Sequence, residues 1–68
     1  MDKTFKIIEL VGTSEKSYEE ATQNAISKAA QSLKALSWFE VIQMRGAIND
    51  GKIVEYQVII KVGFKLVN

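Results

Sequence analysis

The chain has 68 residues, 47 % of them hydrophobic, a net charge of +1, and no cysteine, histidine or proline. That composition excludes disulfides, thiol redox chemistry and thiolate metal sites, removes the commonest metal ligand and general base, and argues against a dedicated nucleic-acid binder. Read as one domain over residues 1–68, a chain this short buries only about 60 % of its unfolded surface and is marginal alone, so oligomerisation is the support that remains.

Residues 3–11 read as a strand, with Phe5, Ile7, Ile8, Leu10 and Val11 dominating over Lys6 and Glu9. Gly12-Thr13-Ser14 reads as a break, either an ordinary turn or a small phosphate-cradling loop before a helix. Ser17-Tyr18-Glu19-Glu20 fits a capping box, and Glu15, Glu19 and Glu20 suit the positive end of a helix dipole. The spacing of Tyr18, Ala21, Ala25, Ile26, Ala29, Leu33 and Leu36 predicts a helix over 17–35, about 28 Å long, with small residues that let it lie close to a sheet. A second strand is expected over 37–48, interrupted by Gly46, and a third over 53–67. Asn49-Asp50-Gly51-Lys52 between them is a strong hairpin signal. No stretch approaches the roughly 20 apolar residues of a membrane span. The segment Met1-Asp2-Lys3-Thr4-Phe5-Lys6 lacks a signal-peptide core, so the expected location is the cytoplasm.

The element order is βαββ, an α+β architecture. With the third strand between the other two, the sheet is a three-stranded antiparallel one in the order 1-3-2, wrapped around one helix by a right-handed crossover. An uninterrupted register from a turn at 49–52 sets residue 48 opposite 53 and Trp38 opposite Gly63. One face then carries Phe39, Val41, Gln43 and Arg45 with Val54, Tyr56, Val58, Ile60 and Val62, and is expected to cover the core. The other carries Trp38, Glu40, Ile42 and Met44 with Glu55, Gln57, Ile59, Lys61 and Gly63. That second face has no partner within the chain, and a bare apolar face usually marks an interface. Glu40 and Lys61 oppose each other on it.

Trp38 on the bare face is either an interface residue or a stacking platform for a flat aromatic ligand. A glycine opposite it favours the platform, because it is expected to leave room for a ring beside the indole. Gln57 offers two donors and an acceptor to a uracil-like or pteridine edge, or else is satisfied by backbone at an interface. Gln57 is expected opposite Met44, about 20 Å along the strand from Trp38, so one ring touches both only if they come from different subunits. Arg45, expected on the core-side face, and Lys65, on the Trp38 face, are candidates for a phosphate or are simply solvated. Glu9, Glu40 and Glu55 suggest no acid–base pair, so no catalytic residue and no metal site is assigned.

Glu9-Leu10-Val11-Gly12-Thr13-Ser14, Trp38-Phe39-Glu40-Val41, Arg45-Gly46, Glu55-Tyr56-Gln57-Val58 and Val62-Gly63-Phe64 together resemble the dodecins over essentially the whole chain. The resemblance implies a small βαββ flavin-binding protein assembled as a hollow homododecamer of cubic symmetry. It implies that Trp38 stacks on the isoalloxazine ring and Gln57 hydrogen-bonds it, with two flavins stacked between Trp residues of two-fold-related subunits. It implies storage, buffering and photoprotection of FMN or riboflavin rather than catalysis, with Lys65 and Arg45 toward the phosphate. Some bacterial members of the family also bind coenzyme A, and a purely structural assembly without flavin is the rival reading. Neither nucleic acid nor membrane is expected as a partner.

Overall fold

The computed structural model describes residues 2–67. The elements run β1 (Phe5–Ser14), α1 (Tyr18–Ala30), β2 (Leu36–Asn49) and β3 (Lys52–Lys65). They form one antiparallel sheet in the order β1-β3-β2, as the sequence predicts.

β1 runs through the expected break. Gly12 pairs with Val58, Thr13 with Gln57 and Ser14 with Tyr56, so these residues end a strand and form no phosphate loop. Gly12 is there because the helix presses on it. A Cβ at this position would lie 2.1 Å from the Ala21 carbonyl oxygen and 2.9 Å from the Ala25 Cβ. The buried Ser14 hydroxyl accepts from the backbone N–H of Lys16 at 2.9 Å and of Ser17 at 3.4 Å, which turns the chain into α1. Ser17 then caps the helix, its hydroxyl accepting from the Glu20 N–H at 3.0 Å. The acceptor for the Ser17 N–H is thus Ser14, whereas a full capping box would use the Glu20 side chain.

α1 ends at Ala30, five residues before the expected end. The chain leaves it through Gln31 and reaches β2 by way of Ala35, whose φ of 63° is a left-handed conformation usually taken by glycine. Leu36, counted in the helical apolar spacing, opens β2 instead. Ala21, Ala25 and Ala29 form the buried stripe of the helix. Ala21 and Ala25 meet Val58, Ile60 and Val62 of β3, with Ile8, Leu10, Tyr18, Ile26 and Leu36 packed around them.

α1 lies over β1 and β3 and leaves most of β2 uncovered. Phe39 is 49 % exposed and Val41 43 % exposed, although both are on the helix side of the sheet. The expectation that this face would cover the core therefore holds for β3 and fails for β2. A single helix, about 10–12 Å across and set over β1 and β3, does not reach across to β2 at the far edge of the sheet. A shallow apolar cleft remains beside it, lined by Ile26, Leu36, Ser37, Trp38, Phe39 and Val62.

The β2–β3 hairpin projects beyond the helix, and its tip residue Ile48 is 74 % exposed. The molecule measures 54 × 20 × 13 Å with a radius of gyration of 14.0 Å, against about 11 Å for a compact domain of this length. Its surface of 5216 Å² likewise exceeds the roughly 4300 Å² expected of a compact monomer of this mass. Among the described residues no helix is long and apolar enough to cross a membrane.

Candidate functional site

The open face of the sheet is built in rows across the three strands. Ile7, Gly63 and Trp38 form one row; Glu9, Lys61 and Glu40 the next; then Val11, Ile59 and Gln43; then Thr13, Gln57 and Arg45. Two irregularities in the hairpin create this pattern. Asp50 and Gly51 form the turn at positive φ, with Asn49 opposite Lys52 and Ile48 opposite Ile53. Next to the turn, Ala47 pairs with Glu55, so Val54 is an extra residue on β3. Farther along, Val41 pairs with Ile60 and Gln43 with Ile59, so Ile42 is an extra residue on β2. The second bulge cancels the first. Trp38 does face Gly63, as an uninterrupted register predicts, but the stretch between the bulges is shifted by one residue.

That shift moves Arg45. Counted without bulges it belongs on the helix side; in the structure it is on the open face, directly opposite Gln57. Met44, expected opposite Gln57, crosses to the helix side and pairs with Val58, while Gln43 joins the open face opposite Ile59. Arg45 and Gln57 are bonded, Arg45 Nε donating to Gln57 Oε1 at 2.8 Å. Gln57 Nε2 in turn donates to Glu55 Oε1 at 2.8 Å.

Trp38 occupies the other end of the face. A Cβ on Gly63 would lie 2.3 Å from Cε2 and Cζ2 of the indole, so the ring lies on the glycine backbone. The room beside Trp38 that glycine was expected to leave for a ligand is filled by Trp38 itself. Phe5 steadies the ring from β1, centroid to centroid 4.9 Å at 57°. The indole remains 43 % exposed, a supported flat surface that offers its outer side for stacking.

Lys65, opposite Phe5, shares this end of the face. Gly63 and Gln57 are six residues apart on β3, roughly 20 Å. The face therefore carries two separate halves, an aromatic one of Trp38, Phe5 and Lys65 and a polar one of Gln57, Arg45 and Glu55. Phe5 and Glu55 escape sequence reading as site residues. Glu55 was within reach, since residues two apart in a strand share a face. Phe5 becomes visible only with the register of β1.

The dodecin family model matches residues 4–67. Over 66 residues the chain is 48 % identical to the dodecin of Thermus thermophilus, covering 97 % of this chain and 96 % of that one. This chain belongs to the dodecin family. Its fold superposes on the dodecin of Streptomyces davaonensis with a TM-score of 0.96 at 43 % identity, each chain fully covered. It is also similar to the calcium dodecin of Mycobacterium tuberculosis, a structure described as having a calcium-binding site, with a TM-score of 0.83 at 32 % identity over 94 % of this chain and 91 % of that one. The βαββ architecture and the 1-3-2 sheet order are those of dodecin structures.

Proposed function

We propose that this dodecin-family chain stores, buffers and photoprotects a flavin, FMN or riboflavin, as a non-catalytic cytoplasmic homododecamer. The observation that carries the reading is the Trp38 indole, laid flat on Gly63, braced by Phe5 and still 43 % exposed. The glycine lets the ring lie against the sheet, and its outer side stays open for a second ring to stack on. A bound flavin would supply the isoalloxazine chromophore and its photochemistry. Trp38 would stack on the ring, and Gln57 would meet its hydrogen-bonding edge. The terminal nitrogens of Arg45 are outside its bond to Gln57 and suit a phosphate, as does the Lys65 ammonium. Because the aromatic and polar halves lie about 20 Å apart, a ring that meets both is held by two copies. The direct test is the absorption spectrum of protein purified without added cofactor. A flavin band is expected, and a protein that takes up neither FMN nor riboflavin would leave coenzyme A binding or the structural assembly. Coenzyme A, with its phosphates on Arg45 and Lys65, is the alternative ligand, and competition between it and FMN would identify it.

Self-association is supported by the elongated hairpin and by the apolar residues left open on both sides of β2. Ile59 stands in the middle of the open face between Val11 and Gln43. Ile59→Asp should convert the assembly to small species in light scattering, because a charge buried without a partner costs several kcal/mol. A variant that elutes at the wild-type size would show that this face lies outside the contacts.

Gln57→Leu should weaken flavin binding roughly tenfold to a hundredfold while the oligomer survives, since ring atoms left unpaired cost about 1–3 kcal/mol. Equilibrium dialysis measures it. Unchanged affinity would assign Gln57 to packing.

A further inference from the structure

We propose that Glu55 is a positioning residue: with Arg45, it locks the Gln57 carboxamide in the single orientation that presents a defined donor–acceptor pair to the ligand edge. The proposal rests on Gln57 contacting the ligand, as argued above. Arg45 Nε lies 2.8 Å from Gln57 Oε1, and Gln57 Nε2 lies 2.8 Å from Glu55 Oε1. A guanidinium has donors only and an ionised carboxylate has acceptors only. The amide oxygen must therefore face Arg45 and the amide nitrogen must face Glu55. Exchanging the two ends would set donor against donor and acceptor against acceptor.

Each end of the carboxamide uses half its capacity on these bonds. One N–H and one oxygen lone pair remain, a donor beside an acceptor at fixed places. A ring edge that alternates acceptor and donor can meet such a pair in only one register. Without Glu55, the nitrogen loses its anchor and the amide must be ordered when the ligand binds. Register sets this up. The extra residue Val54 brings Arg45 opposite Gln57, and strand alternation puts Glu55 on the same face two residues away. Glu55 acts through Gln57 and makes no contact with the ligand itself.

The test compares wild type, Glu55→Ala, Glu55→Gln, Gln57→Leu and the double variant Glu55→Ala/Gln57→Leu as assembled oligomers. Riboflavin affinity is measured by equilibrium dialysis. Glu55→Ala should bind about three- to tenfold more weakly, the worth of one anchoring hydrogen bond. Glu55→Gln should stay within about twofold of wild type, because its side-chain oxygen accepts the same bond. In the Gln57→Leu background, removing Glu55 should change nothing further. An equal loss in that background, or a Glu55→Gln as weak as Glu55→Ala, overturns the proposal. The side-chain amide signals of Gln57 in ligand-free protein give a second readout. They should shift in Glu55→Ala and return in Glu55→Gln. If wild-type protein takes up no riboflavin, the flavin reading falls by itself, and the amide signals alone decide whether Glu55 holds Gln57. Signals unmoved in Glu55→Ala overturn the positioning role.

Discussion

Trp38→Ala should weaken flavin binding by about one to two orders of magnitude and restore the emission of whatever flavin still binds. Stacking of a flat heterocycle on an aromatic side chain is worth roughly 1–3 kcal/mol by alanine substitution, and each 1.4 kcal/mol is a factor of ten. An indole stacked on a photo-excited isoalloxazine is an electron donor at contact distance, so flavin on wild-type protein should be almost dark and should bleach slowly under irradiation. The structure narrows the alternatives. Tyr56, another potential donor, is on the helix side of the sheet, edge-on to Tyr18 at 5.0 Å. If Trp38→Ala leaves emission fully quenched, a neighbouring flavin is the quencher and the protective role assigned to Trp38 is wrong. Titration of flavin fluorescence against both proteins, with light scattering to confirm the oligomer, measures binding and quenching together.

Gly12→Val should lower the unfolding temperature by about 10 to 20 °C. The added Cβ would start 2.1 Å from the Ala21 carbonyl oxygen, a backbone atom in the first turn of α1. No rotamer change relieves that contact, so the helix must lift from β1 and open the core that Ala21 and Ala25 make with Val58 and Ile60. Overpacking of this kind costs about 1–3 kcal/mol, and a domain this small loses roughly 4–8 °C per kcal/mol. A thermal scan at fixed protein concentration checks it, because assembly makes the midpoint concentration-dependent. A fall of less than about 2 °C would mean that α1 has room to spare above β1. Since Gly12 is on the helix side, flavin affinity of the folded variant should be little changed.

The aromatic half of the site was more legible in the sequence than the polar half. Trp38 opposite Gly63 follows from counting back from the Asp50-Gly51 turn, and the count survives because bulges at Val54 and Ile42 cancel. Between those bulges the same count misplaces Gln43, Met44 and Arg45. Strand alternation has a period of two, so one inserted residue sends every later side chain to the opposite face until a second restores it. The use of Gly63 was also misread. Sequence identifies a missing side chain, and only the packed structure says that the indole fills the gap.

The sequence by itself determined the element order, the helix start at Ser17 and the hairpin turn, because each rests on local chemistry: alternation, capping, and residues that accept positive φ; the sheet order 1-3-2 followed only once the third strand was set between the other two. It also determined that this chain leaves apolar surface uncovered, since too few residues are available to bury it. Tertiary structure decided the rest. Helix docking onto β1 and β3 carried β1 through Gly12 to Ser14, buried that glycine, and left β2 open on both faces. Bulge placement brought Arg45, Gln57 and Glu55 into one hydrogen-bonded chain. These outcomes depend on how backbone hydrogen bonding between strands and the width of one short helix settle together, and no window of neighbouring residues encodes that compromise.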